Sequence, residues 1–183
     1  MIRKYYPHNS VLFCTSRIEE GLPLVCSRNI LSMVERNVKI LKNQSFFVFG
    51  ARGTGKTYWI NQILNSEHTL TINLLDPLEE EKFALEPNEL SRRIEQLDKK
   101  ITHLFIDEIQ KVPKLLDLVH HNIEKTDLVF ALTGSSARKL KKGGANLLAG
   151  RAFTYNLYPF SHRELSNNFN LDHHLKWLSL IHI

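Results

Sequence analysis

Cysteines are rare in this sequence and long apolar runs are missing, and both absences narrow the class of protein. The 183 residues include two cysteines, Cys14 and Cys26. Their spacing fits neither a zinc-binding CxxC pair nor the cysteine framework of a disulfide-rich secreted domain. No apolar run approaches the roughly 18 residues of a transmembrane helix, and the N-terminus lacks the apolar segment of a secretory signal. We therefore expect a cytoplasmic protein with no membrane partner.

A large excess of one charge is also missing. The chain has 24 lysines and arginines against 19 acidic residues, a formal net charge of +5. This balance suits a polyanionic ligand but does not by itself indicate a nucleic-acid surface. The hydrophobic content of 43% is typical of a globular protein. A chain of this length can bury one core, so we expect one domain with at most a short appendage.

Residues 46–57 have the pattern of a strand followed by a phosphate-binding loop. We call residues 50–57 the P-loop. Four apolar residues of a predicted strand precede Gly50-Ala-Arg-Gly-Thr-Gly-Lys-Thr57, which matches G-x-x-x-x-G-K-[ST]. The apolar residues after this loop have the spacing of a helix. Inward-pointing backbone N–H groups and the dipole of the following helix attract an anion. A triphosphate is the expected ligand, with Lys56 on its β- and γ-phosphates and Thr57 on Mg²⁺. The residues predicted to bind the nucleotide are Gly50, Ala51, Arg52, Gly53, Thr54, Gly55, Lys56, Thr57 and Tyr58.

Apolar strands alternate with amphipathic helices along most of the chain. We predict strands at 46–49, 69–75, 103–110, 127–136 and 152–158, and helices at 29–42, 56–65 and from residues 88, 113 and 161. Residues 79–81 are expected to form a solvated loop. The alternation predicts an α/β fold, a mostly parallel sheet with helices on both faces and right-handed crossovers. Ligands of such sheets bind at the carboxyl ends of the strands.

Two acids end the third predicted strand. Asp107 can hold Mg²⁺ opposite Thr57, which makes these two residues the predicted metal site. Glu108 can orient and polarise the water that attacks the γ-phosphorus. The alternative is that the two acids form an exposed turn.

Hydroxyl and arginine side chains follow the fourth predicted strand. Of its hydroxyl residues, which include Thr133, we choose Ser135 as the contact to the γ-phosphate or the attacking water, although they could simply end the strand. Arg138 or Arg151 could stabilise the transition state, in cis or from a neighbouring subunit, or lie on the surface. The basic run 138–142 could instead touch nucleic-acid phosphates. The candidate catalytic residues are Lys56, Glu108, Ser135, Arg138 and Arg151.

Three segments together resemble a prokaryotic family of AAA-like ATPases. They are the P-loop, the acidic segment Leu104–Pro113, and Leu132–Leu140 followed by Asn146-Leu-Leu-Ala-Gly-Arg-Ala152. The resemblance implies a P-loop NTPase fold with one strand between the P-loop strand and the acidic strand, and a five-stranded sheet of order 5-1-4-3-2. It also implies ATP rather than GTP.

The resemblance implies roles and boundaries as well. Lys56 and Thr57 would be the Walker A pair, Asp107 and Glu108 the Walker B pair, and Ser135 or Thr133 the sensor. The expected domains are an N-terminal arm and helix, an AAA-like ATP-binding core and a tail, at residues 1–43, 44–166 and 167–183. Relatives usually continue into a C-terminal domain, so we expect a truncated chain.

The predicted function is Mg²⁺-dependent ATP hydrolysis, with ATP and Mg²⁺ as the bound groups. One alternative is a nucleotide-binding module with little or no turnover, because the lid and the C-terminal domain are missing. A further alternative is a DNA-associated ATPase. The sequence also leaves open whether the protein forms a homo-oligomer.

Overall fold

The computed structural model describes residues 35–135, 137, 140 and 148–165. All of them belong to one compact unit, Glu35–Ile183, and a second unit, Met1–Val34, lies outside the described residues. The strands are β1 Phe46–Phe49, β2 Thr69–Asn73, β3 His103–Asp107, β4 Val129–Gly134 and β5 Phe153–Asn156. The longer helices are α1 Lys56–Ile63, α2 Pro77–Leu85, α3 Glu89–Glu95 and α4 Leu115–Lys125, and a last helical turn spans His162–Leu165.

The five strands form one parallel sheet in the order β2-β3-β4-β1-β5. This order is the predicted 5-1-4-3-2 counted from the opposite edge, so the predicted fold is confirmed. The last residue of β1, Phe49, pairs with Gly134 at the end of β4. The last residue of β2, Asn73, pairs with Asp107 at the end of β3. The loops that follow these strands therefore lie together at the carboxyl ends of the strands.

Both faces of the sheet are buried at its three inner strands, β1, β3 and β4, as β1 shows most clearly. Its side chains alternate between the faces: Phe47 and Phe49 belong to one apolar cluster, and Phe46 and Val48 to another. Helices α2, α3 and α4 cover the first cluster, which contains Phe83, Leu90, Ile94, Leu115, Leu116 and Val119. Helix α1 covers the second with Trp59 and Ile60. This two-sided burial explains why the inner strands are almost continuously apolar.

The helix predicted over residues 29–42 is wrong in its described part. Residues 35–42 form no helix. Arg36, Val38 and Ile40 are half-buried while the residues between them are exposed, an alternation typical of extended chain. The predicted helical spacing places Val38 and Leu41 on one face, but Val38 is half-buried and Leu41 is exposed.

The loop predicted over residues 79–81 is also wrong, because these residues lie in α2. The side chain of Asp76 accepts a hydrogen bond from the backbone N–H of Leu78 (3.0 Å), and Pro77 occupies the first turn. Both features favour the start of a helix. On the inner side of α2, the fully buried ring of Phe83 anchors the helix to the sheet.

Other predicted elements differ mainly in their ends. The third strand ends at Asp107 and not at Gln110, because Glu108 has the left-handed backbone conformation (φ 57°). Within the described part of the chain, no helix has the length and apolar character that crossing a membrane requires. The predicted tail and the basic run 138–142, apart from residue 140, lie outside that part.

Candidate active site

The P-loop connects β1 to α1 at the carboxyl ends of the strands. Gly55 has a φ of 81° immediately before α1, a conformation that side chains with a Cβ rarely adopt. At Gly50 the constraint is space, because a Cβ atom there would lie 2.3 Å from the carbonyl oxygen of Leu157. The chain after β5 thus lies directly against the first residue of the loop. The glycines of the motif are required by this geometry.

Lys56 lies folded over the loop that it follows. Its side chain is 5% exposed, and its Nζ donates hydrogen bonds to the carbonyl oxygens of Gly50 (2.9 Å) and Ala51 (3.1 Å). The same Nζ lies 3.8 Å from Oε1 of Glu108. A lysine ammonium group therefore sits between the loop and the acidic strand end, within reach of both.

Asp107 is the centre of a buried hydrogen-bond cluster. It is 1% exposed, its Oδ2 accepts a hydrogen bond from Oγ1 of Thr57 (2.7 Å), and its Oδ1 accepts one from Oγ1 of Thr133. The backbone N–H of Glu108 donates to the same Thr133 oxygen (3.0 Å). Thr57 and Asp107, the predicted metal ligands, are thus in direct contact. A hydroxyl and a carboxylate are oxygen ligands of the kind that Mg²⁺ prefers, so the residues present fit this ion.

Glu108 has an unusual backbone conformation. Its φ of 57° and ψ of 48° lie in the left-handed region, which is uncommon for residues other than glycine. Such conformations cluster at functional sites. One carboxylate oxygen faces Lys56, and the other, Oε2, accepts a hydrogen bond from Nε2 of Gln110. Gln110 also donates to Oγ of Ser135 (3.3 Å), at the end of β4.

The structure separates the two hydroxyl residues considered for the sensor position. Thr133 is fully buried and its hydrogen is donated to Asp107. Ser135 is half-buried at the strand end and accepts from Gln110. Ser135 therefore has the more suitable position for contact with a ligand. Thr133 instead forms hydrogen bonds with the carboxylate of Asp107 and the backbone N–H of Glu108.

The two predicted arginines have different outcomes. Arg138 lies outside the described residues. Arg151 pairs with Glu124 (2.6 Å) and donates to Nε2 of His120 (2.8 Å), both on α4. Arg151 precedes β5, whose first residue pairs with the first residue of β1. The P-loop follows the last residue of β1. In this chain Arg151 therefore lies toward the amino ends of the strands, whereas the P-loop lies at their carboxyl ends.

The other predicted nucleotide contacts differ in their exposure. Arg52 and Gly53 lie at the surface of the loop. Tyr58 is 44% exposed, and its hydroxyl oxygen accepts a hydrogen bond from Nε2 of Gln62 (3.3 Å). Thr54, in contrast, is buried, and its hydroxyl donates to the carbonyl oxygen of Ala51 (2.9 Å). The loop therefore has a solvent-facing outer part and a hydrogen-bonded inner part.

Sequence reasoning missed two residues of the site, Gln110 and Arg36. The position of Gln110, two residues after Glu108, was the available signal. Arg36 had no local signal, because its contacts are distant in sequence. Its guanidinium group donates to the carbonyl oxygens of Thr54 (2.6 Å) and Tyr158 (3.0 Å).

Comparisons with known proteins show the family to which this chain belongs. The family described as AAA domain matches residues 42–166. An uncharacterized protein of Methanocaldococcus jannaschii is 29% identical in an alignment of 138 residues that covers 73% of this chain. The match spans only 31% of the length of that relative.

Among solved structures, domain III of the Thermotoga maritima replication initiation protein DnaA is similar with a TM-score of 0.42. The sequence identity is 14%, and the alignment covers 67% of this chain and 58% of the DnaA domain. The family match covers well over half of the chain and includes all five strands, the P-loop and both acids. The chain belongs to the AAA domain family and contains a nucleotide-binding, ATPase-like module.

Proposed function

We propose that this protein is an Mg²⁺-dependent ATPase. The observation that carries the proposal is the contact between the P-loop and the end of β3. Lys56 lies 3.8 Å from Glu108, and Thr57 donates to Asp107 at 2.7 Å. A cation, a hydroxyl and two carboxylates from two separate segments thus share one buried corner, which is the set of groups that phosphoryl transfer to water requires.

The P-loop and the first turn of α1 would bind the triphosphate. Backbone N–H groups at a helix N-terminus attract anions, and α1 begins directly at Lys56. The ammonium group of Lys56 now donates to two loop carbonyls, and a phosphate would offer it charged acceptors instead. Charge-assisted hydrogen bonds are the stronger kind, so we expect Lys56 to turn from the carbonyls to the β- and γ-phosphates.

Thr57 and Asp107 would hold the metal ion. Bound there, Mg²⁺ would neutralise negative charge on the phosphate oxygens during transfer. Asp107 stays in place because Thr133 donates to its other oxygen. The hydroxyl of Thr57 can turn its lone pairs outward, since its hydrogen is already donated to Asp107.

Glu108 would act on the attacking water. When Lys56 turns to the phosphates, Oε1 of Glu108 loses its cationic neighbour and becomes available to accept a hydrogen bond from water. A carboxylate in this position orients the water and accepts its proton. The left-handed backbone of Glu108 directs this side chain toward the loop and away from the path of the strand.

A second candidate function, nucleotide binding with little turnover by the single chain, is favoured by the position of Arg151. This arginine pairs with Glu124 and His120 near the amino ends of the strands, whereas the P-loop lies at their carboxyl ends. It could reach a P-loop only in a neighbouring subunit. Turnover would then require assembly of several chains.

The test is Mg-ATP hydrolysis by the purified chain over a range of protein concentrations, together with ATP binding by titration calorimetry. We expect Glu108→Gln to abolish turnover and keep binding, and Lys56→Ala to weaken binding. Matched controls are Glu95→Gln and Lys99→Ala, two exposed positions, which should behave as wild type. Binding that does not depend on Lys56 would contradict the proposal.

The same assay separates the two candidate functions. Turnover per molecule that rises with concentration and is lost in Arg151→Ala would indicate a neighbour's arginine. Turnover independent of concentration would exclude that role. Competition between ATP and GTP tests the nucleotide, and stimulation by DNA tests the DNA-associated alternative.

A further inference from the structure

Gln110 ties together two groups that the proposed reaction uses. It lies in the helical turn Ile109–Lys111 directly after Glu108. Its amide nitrogen donates to Oε2 of Glu108 and to Oγ of Ser135 (3.3 Å). One side chain therefore connects the end of β3 to the end of β4, next to the P-loop.

We propose that Gln110 is a positioning residue for hydrolysis, which holds the carboxylate of Glu108 and directs the hydroxyl hydrogen of Ser135. The inference rests on the proposed ATPase function and goes beyond it by assigning a role to a residue outside the Walker motifs. Gln110 itself would touch neither phosphate nor water.

The donor and acceptor pattern supports this role. A primary amide has two N–H donors, and here one is donated to Glu108 and the other to Ser135. Ser135 thus uses a lone pair for Gln110 and keeps its own hydrogen available. Phosphate oxygens can only accept, so the free hydroxyl hydrogen is the part of Ser135 that suits them.

Rotation of the amide by 180° would remove its favourable hydrogen bond to Glu108. In the reversed orientation its carbonyl oxygen would face the carboxylate of Glu108, and two acceptors would repel each other. In the observed orientation Oε1 is buried and has no hydrogen-bond partner among the described residues. A buried unsatisfied carbonyl costs stability. The two N–H donors, and not the carbonyl, therefore hold the amide in the observed orientation.

Gly134 provides a way to move Gln110 without removing it. A Cβ atom on Gly134 would lie 2.9 Å from Oε1 of Gln110 and 3.1 Å from Cε1 of Phe49. The flexible end of Gln110 can yield to such a contact, and the aromatic ring must yield slightly. Gly134→Ala should therefore displace the amide while every polar group of the site stays present.

The experiment compares Gln110→Ala, Gln110→Glu and Gly134→Ala with wild type, and uses the exposed Gln96→Ala as the control. We expect ATP affinity within about twofold of wild type in Gln110→Ala, and a kcat lower by about tenfold to a hundredfold, the loss expected when reacting groups are misplaced. Gly134→Ala should lower kcat in the same direction. Gln96→Ala should change neither quantity.

The isosteric variant Gln110→Glu adds a readout that a packing role would not affect. It fills the same space as glutamine but replaces the N–H donors to Glu108 and Ser135 with carboxylate acceptors. We therefore expect Gln110→Glu to lower kcat at least as far as Gln110→Ala. A kcat of Gln110→Glu close to that of wild type would overturn the inference.

The outcomes for this inference and for the proposed function are distinguishable. Wild-type turnover that Glu108→Gln abolishes and Gln110→Ala leaves unchanged would overturn the inference and leave the ATPase standing. A parallel loss of ATP binding, kcat and melting temperature in Gln110→Ala, with a normal kcat in Gly134→Ala, would also overturn it. Absence of wild-type turnover would overturn both.

Discussion

Replacing Thr133 by valine tests whether the buried hydroxyl organises the two acids. Thr133 is fully buried, donates to Oδ1 of Asp107 and accepts from the N–H of Glu108 at 3.0 Å. Valine has nearly the same shape but replaces the hydroxyl with a methyl group. The substitution therefore removes two hydrogen bonds and changes the volume of the core very little.

The expected loss of stability follows from the two groups left behind. An unsatisfied buried N–H costs about 1–3 kcal/mol, and a hydrogen bond to a charged group contributes about 1.5–3 kcal/mol. Both interactions share one oxygen, so they are not additive. We expect Thr133→Val to lower the free energy of unfolding by about 2–5 kcal/mol. Typical domains have only roughly 5–15 kcal/mol in total, so the change should be easy to measure.

Thr133→Ser is the matched control, because it keeps the hydroxyl and removes one methyl group. Its expected cost is about 1 kcal/mol. Urea unfolding followed by circular dichroism gives both values, and unchanged m-values would show that the denatured states are comparable. A valine variant as stable as the serine variant would refute the reasoning. The ATPase rate should also fall further in valine than in serine.

Three further predictions concern the surroundings of the site. Gly50→Ala should lower both the melting temperature and the ATP affinity, because its Cβ would lie 2.3 Å from the carbonyl oxygen of Leu157; calorimetry and ATP titration measure the two effects. Arg36→Lys should weaken ATP binding, since lysine cannot reproduce the two-pronged donation to the P-loop and to the chain after β5, and an unchanged dissociation constant would contradict this. Hydrogen bonds from Arg93 lower the pKa of Glu79 below its ordinary 4.5, despite the opposing effect of burial. The folded-state pKa is depressed, so this stabilisation is present above about pH 4.5 and is lost as pH falls through the lowered pKa; Glu79→Gln should cost about 0.2–1 kcal/mol at pH 7, the range of surface ion pairs, and progressively less as pH falls through the lowered pKa.

Most of the fold was predictable, because its signals are local. The apolar strand, the glycine loop and the helical spacing after Lys56 specify a strand, turn and helix within about 20 residues. The strand order came from the family resemblance and is confirmed. The helix predicted from residue 161 is also present, and Ser161 and Glu164 cap its start with hydrogen bonds of 2.8 and 3.3 Å in the two directions.

The errors have identifiable physical causes. Residues 35–42 were assigned a helical period, but the short described segment has the alternating burial of extended chain. Helix α2 was overlooked because the three acids 79–81 suggested a solvated loop. Its start was visible in Asp76 and Pro77, which are favourable at a helix N-terminus. Charge alone was therefore a poorer guide than capping residues.

By itself, the sequence determined the chemistry available at the site, since a phosphate-binding loop and two acids after an apolar strand are recognisable by type and spacing. Only the tertiary structure decided which groups meet. It buried the hydroxyl of Thr133 against Asp107 and left Ser135 at the strand end. It also joined Gln110 to Glu108 and Ser135, and placed Arg151 beside α4. Hydrogen bonds act over about 3 Å between atoms far apart in the chain, and no local pattern in a sequence encodes those distances.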